Sequence, residues 1–132
     1  MFMSTKFLAC RTARRYAFCA AGCLLFACVY EAFSHGVYSL SMLLMFLWPL
    51  LGGALPFWML SRMRRRLWPG WLARGLYHSG VATLVTGGAV TGALEIYGTT
   101  SPYTACYGPV GAVLCAGGIL LFSGQCLRGT NR

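Results

Sequence analysis

Three features of the chain predict an all-α fold, an integral membrane four-helix bundle made of two helical hairpins. Its 132 residues are 58% hydrophobic and only 10% charged, with a mean hydropathy of +0.63, whereas about a quarter of the residues in a soluble domain carry charge. Four apolar runs follow one another, each close to the roughly 20 helical residues that a hydrocarbon core of about 30 Å requires. Every Lys and Arg falls in one of three clusters, and both acidic residues lie between clusters. Four crossings leave only short tails and loops, so residues 1–132 are expected to form one membrane domain.

The clusters set the expected topology. Lys6, Arg11, Arg14 and Arg15 precede the first apolar run. Arg62, Arg64, Arg65, Arg66 and Arg74 separate the second from the third, and Arg128 and Arg132 follow the fourth. Basic residues in short loops stay on the cytoplasmic side. Both hairpins are therefore expected to run in-out-in, in the cytoplasmic (inner) membrane, with the N- and C-termini in the cytoplasm. The first run lacks the small-residue pattern of a cleavage site near Tyr30, Glu31 and Phe33 and reads as an uncleaved signal-anchor helix.

The first helix is placed at about 16–33 and the second at about 38–61, joined by Ser34, His35, Gly36 and Val37, a link short enough to force an antiparallel hairpin. The second helix contains Pro49, Gly52, Gly53 and Pro56. Proline removes a donor and crowds the preceding turn, so a kink is expected there. A basic cytoplasmic connection follows at 62–75. The third helix is placed at about 76–97 and the fourth at about 103–127, joined by Gly98, Thr99, Thr100, Ser101 and Pro102. The two hairpins echo one another faintly, since Glu31 precedes Ser39 as Glu95 precedes Ser101, which fits either a parallel repeat or convergence on similar caps.

Several functions are disfavoured. A net charge of +9 would suggest nucleic acid in a soluble protein, but here the positive-inside rule accounts for it, and no nucleic-acid partner is expected. Of seven cysteines, Cys19, Cys23, Cys28 and Cys115 lie in apolar runs and Cys10 and Cys126 near cytoplasmic ends, which are poor places for disulfides. Cys106, near the outer face, is the thiol to watch. No Cys/His spacing suits a metal. His35 and His78 belong to opposite faces, too far apart for bis-His haem, so no cofactor is expected. No nucleophile, base and orienter are spaced to meet, and no enzyme activity is expected.

Ionisable side chains at membrane depth are functional candidates by default. Glu31 and Glu95 fall near the outer ends of their helices, with His35 in the outer loop, and these three form the candidate proton or cation site. Cys19, Cys23, Ala27 and Glu31 recur every four residues, as do Thr83, Gly87, Thr91 and Glu95, with Gly88 and Gly92 adding a small-residue step. Such stripes mark helix contact. If the first and third helices meet through them, the two carboxylates would share a proton or hold a cation. The structural alternative is that each Glu locks its own hairpin by accepting from nearby hydroxyls, Ser34 and Ser39 or Thr99 and Ser101. Around Pro69-Gly70, Arg62, Arg64, Arg65 and Arg66 interleave with Trp68 and Trp71 as an interfacial strap contacting lipid headgroups. Anionic lipids on the cytoplasmic side are its expected partner, with a cytoplasmic protein as the alternative.

The stretches Phe33-Ser34-His35-Gly36-Val37-Tyr38-Ser39, Pro49-Leu50-Leu51-Gly52-Gly53 and Leu94-Glu95-Ile96-Tyr97-Gly98-Thr99 resemble a group of uncharacterised small four-helix bacterial membrane proteins. The resemblance covers most of the chain and implies a fold but no activity. Small multidrug exporters also have four helices in a similar length. Their essential Glu lies mid-helix, unlike Glu31, and their weak charge bias differs from the strong bias here. The expected role is an accessory or scaffold component of a larger membrane system, partnered by another membrane subunit or by itself. The alternative is a small transporter or channel working through Glu31 and Glu95.

Overall fold

The computed structural model describes residues 2–62 and 68–130. Its long helices are α1 (Phe2–Phe33), α5 (Trp71–Ile96) and α6 (Tyr107–Thr130). Between α1 and α5 the chain forms α2 (Leu40–Leu44), α3 (Leu47–Pro49), a π-helical segment (Leu50–Ala54) and α4 (Leu55–Arg62), and a 3-10 turn (Pro102–Cys106) leads into α6. Four spans, Thr5–Phe33, Leu40–Arg62, Trp71–Ile96 and Pro102–Arg128, are long and apolar enough to cross a membrane. They form an all-α four-helix bundle with a turn end, where both hairpins reverse, and a basic end, where Arg62 and Arg74 lie.

The first and third helices begin earlier than the sequence suggests. α1 continues through its basic first turns because Ala9 and Ala13 extend the same buried seam as Ala20 and Ala27. α5 opens at Trp71 because Gly70, its N-cap, donates its N–H to Oε1 of Gln125 at 2.9 Å. That bond satisfies a helix-end group that otherwise has no partner in the helix.

The second span is broken where its prolines fall. Pro56 carries no N–H, so the carbonyl of Gly52 loses the donor that α-geometry would supply. The Leu55 N–H reaches back to the Leu50 carbonyl in the wider π pattern. Tyr77 on α5 donates its phenol to the Gly52 carbonyl at 2.6 Å. The expected kink is thus a π-bulge whose freed carbonyl is satisfied from the next span. This is the condition under which irregular backbone is tolerated at membrane depth.

Both turns rely on left-handed backbone. His35 (φ 56) and Gly36 (φ 92) reverse the first hairpin, and Gly98 (φ 70) the second. At the second, the Gly98 N–H bonds the Glu95 carbonyl at 3.1 Å and the Thr99 N–H the Leu94 carbonyl at 3.0 Å. This is the Schellman arrangement, which glycine at its left-handed position favours. Ser39 caps α2, accepting from the Met42 N–H at 3.2 Å, whereas Ser101 makes no side-chain cap bond. The sequence echo between hairpins therefore does not extend to their caps.

Packing rests on small residues. A Cβ at Gly80 would lie 2.5 Å from the Cys115 sulfur, one at Gly111 2.6 Å from Leu84, and one at Gly118 2.9 Å from Tyr77 Cβ. Gly80 and Gly87 on α5, like Gly111 and Gly118 on α6, are seven residues apart, so α5 and α6 meet backbone to backbone along a glycine seam. A neighbouring face of α5 serves the other hairpin, where a Cβ at Gly92 would lie 2.6 Å from Met42 Cβ. Instead of the small-residue stripes joining the first and third helices, α1 packs on α4 and the π segment, and α5 packs on α6 and α2. Cys19, assigned to the α1 stripe, is exposed, while Ala27 in the same stripe is fully buried.

Candidate functional site

Two polar constellations lie between the spans. At the turn end, the carboxylate of Glu95 closes the gap between α5 and the start of α2. Ser39 donates to Oε2 at 2.6 Å and Ser41 to Oε1 at 2.8 Å. Ser39 does double duty, since the same oxygen that donates to Glu95 accepts the Met42 N–H and caps the helix. The residue is fully buried beneath the carboxylate, and a charged acceptor strengthens the bonds it receives.

Glu31 reaches no such partner. Its backbone carbonyl accepts from both the N–H of Ser34 at 3.1 Å and the Ser34 hydroxyl at 2.7 Å. Its carboxylate oxygen Oε1 is buried without a hydrogen-bond partner. The hydroxyls on Glu95 come from the opposite hairpin and not from its own turn at Thr99 and Ser101. His35 sits exposed on the first reversal. The structure thus joins Glu95 to Ser39 and Ser41, two residues outside the candidate triad.

The second constellation surrounds the π-bulge toward the basic end. The Tyr16 phenol on α1 and Nδ1 of His78 on α5 share a hydrogen bond. The Tyr16 ring lies so close over Gly53 that a side chain there would overlap it. Phe57 completes the group, its ring centroid 5.9 Å from Tyr16 and 5.4 Å from His78. Nearby, Tyr77 serves the Gly52 carbonyl, and the Cys115 thiol points at the Tyr77 carbonyl, 3.9 Å away. One aromatic layer therefore joins the first, second and third spans at the level of the broken helix. π-bulges occur frequently at functional sites.

Of the expected headgroup residues, Arg62 is exposed, with its guanidinium 4.8 Å over the Trp58 ring. Trp71, first residue of α5, is 79% exposed. Trp68 instead turns inward, 6.4 Å from Phe57, with the Arg74 guanidinium 5.2 Å above it. Arg64, Arg65 and Arg66 lie outside the described residues.

Among the described residues no three His, Cys, Asp or Glu side chains gather closely enough to hold a metal ion. Sequence reasoning missed Tyr16 with His78, which are 62 residues apart. The available signal was the Pro49 to Pro56 segment, which frees a carbonyl and so calls for donors at that level of the neighbouring helices. No family model, curated protein or solved structure was found to match the chain.

Proposed function

We propose that this chain is a multi-pass protein of the cytoplasmic membrane, its basic end on the cytoplasmic side, serving without catalysis of its own as an accessory or scaffold component of a larger membrane system. The charge bias supports the orientation, since none of the eleven Lys and Arg lies in either reversal, residues 34–39 and 97–101. Arg62 and Trp71, exposed at the basic end, suit contact with anionic headgroups.

The observation that carries the scaffold reading is how the polar groups between the spans are used. Glu95 holds Ser39 and Ser41, Tyr16 holds His78, and Tyr77 holds the Gly52 carbonyl, each bond fastening one hairpin to the other. Much of the rest of each span is exposed apolar surface, including Leu25, Leu51, Val113 and Leu120 at 56–70%, which lipid or a neighbouring subunit covers. Native mass spectrometry after gentle extraction from the host membrane tests the reading. An unrelated subunit in stable stoichiometry supports it, and a consistently lone species overturns it.

A second reading, a small proton or cation transporter, is favoured by one observation, the buried and partnerless Oε1 of Glu31. Buried polar groups ordinarily have partners, and a transported ion would supply one. Flux in vesicles should fall in Glu31→Gln and Glu95→Gln variants that still fold, and unchanged flux excludes this reading.

A further inference from the structure

The second, third and fourth spans leave a cavity of about 280 Å³ at the turn end, open to one side. Its lining includes the hydroxyl-bearing Ser41, Thr91 and Thr104 and the aromatic Trp48 and Tyr107, set among apolar residues such as Leu44 and Leu84. Ser41 links this groove to charge, because the hydroxyl that lines it donates to Oε1 of Glu95 at 2.8 Å. A hydroxyl that donates to a carboxylate keeps its own lone pairs, and with them its negative end, free to face an incoming cation.

Electrostatics select the class of ligand. Among the described Lys and Arg, the nearest in sequence to the α5 wall is Arg74, 10 residues from Leu84 and so roughly 15 Å along the helix. No Lys or Arg occurs from residue 75 to 127 or from 16 to 61. The turn end therefore carries the carboxylates of Glu95 and Glu31 with no Lys or Arg beside it, and the exposed Glu95 lends the Ser41 side of the groove a negative potential. Two aromatic rings, hydroxyl acceptors and a nearby carboxylate are the features that bind ammonium groups. The volume exceeds the roughly 150 Å³ that holds one benzene, which leaves room for an aryl group and a cationic head.

We infer that this groove is a binding site for a small organic ammonium cation, with Trp48 and Tyr107 against the ligand and Glu95, through Ser41, as its counter-charge. The inference moves the cation site of the second reading from the Glu31–Glu95 pair to the space between the second, third and fourth spans. It concerns binding alone, so its failure is separable from a failure of transport.

The test is calorimetric titration of the full chain in lipid nanodiscs with benzyltrimethylammonium and, in competition, its uncharged carbon isostere neopentylbenzene. Saturable binding of the cation is expected, weakened at least about tenfold in Glu95→Gln, with the isostere competing poorly. Glu95 also fastens α2, so Trp48→Leu serves as the independent variant. Trp48 is 45% exposed, so the bundle should fold, as a monodisperse and fully helical nanodisc preparation would show, while the groove loses an aromatic ring. Equal binding of cation and isostere would identify a merely apolar slot and overturn the inference. So would undiminished cation binding in Trp48→Leu, or no saturable binding in the parent protein. Loss of flux with binding intact would instead leave the site standing.

Discussion

The phenol of Tyr16 on α1 meets Nδ1 of His78 on α5 across the π-bulge of the second span, with the Phe57 ring packed against both. This ties the first span to the third at a level where the second is least regular. Removing the hydroxyl leaves a half-buried imidazole nitrogen short of a partner. Tyr16→Phe should destabilise the bundle by roughly 0.5–1.5 kcal/mol, the range of interhelical hydrogen bonds in membranes. Adding His78→Phe should cost less than the sum of the two single changes, read from a double-mutant cycle of unfolding in mixed micelles. Strict additivity would mean the bond contributes nothing.

Gly53 tests the same layer sterically. A methyl there would occupy the space of the Tyr16 ring, so Gly53→Ala should cost about 1–3 kcal/mol as overpacking. Shrinking the opposing ring in a Gly53→Ala, Tyr16→Ala double variant should recover part of that loss. Folding assays on the three variants decide the point, and an absence of coupling would place the ring elsewhere.

The glycines sort into two groups. Gly80→Ala and Gly92→Ala would set Cβ atoms 2.5 Å from the Cys115 sulfur and 2.6 Å from Met42 Cβ. Each should therefore lower stability by about 1–3 kcal/mol. Gly22→Ala and Gly124→Ala meet nothing within 4 Å and should be neutral or slightly stabilising through helix propensity. Parallel denaturation curves of the four variants provide the comparison.

Ser39 and Ser41 share one acceptor but not one role. Ser39→Ala removes a bond to Glu95 and the α2 cap together, and should cost about 1–2 kcal/mol. Ser41→Ala removes only the bond to Glu95 and should cost about 0.6 kcal/mol. Equal losses would show that the cap contributes little.

Topology has a direct chemical test in the exposed Cys106 of the 3-10 turn. In a variant retaining that cysteine alone, a membrane-impermeant maleimide should label intact spheroplasts. Labelling only after lysis would invert the proposed orientation.

Hydropathy made the four spans legible because crossing length is a property of composition. Which residues face one another was less legible. The four-residue stripe Cys19, Cys23, Ala27 and Glu31 drifts about 40° at each step, since four residues turn a helix through roughly 400°. The buried Ala13, Ala20 and Ala27 recur every seven residues, and a seven-residue repeat drifts only about 20° from a straight helix. The longer period therefore marks the true contact. Glu95 was visible as a candidate by its charge alone. Its partners were not, because Ser39 and Ser41 belong to the other hairpin, and long-range pairing leaves no local periodicity. The bond from the Gly70 N–H to Gln125 Oε1 was hidden for the same reason.

Every hydrogen bond described between the two hairpins has one end on α5. Glu95, His78 and Tyr77 are its contributions, and Ser39, Ser41, Tyr16 and Gly52 are the groups they meet. During synthesis the first hairpin accordingly leaves the ribosome with its fasteners unmet, above all the Gly52 carbonyl at the bulge. α5 is the segment whose arrival completes them, and α6 then docks on its glycine seam. The hairpins are thus two complementary halves. Supplied as separate polypeptides divided within residues 63–67, they should find one another in the bilayer, whereas a first half made alone should turn over quickly.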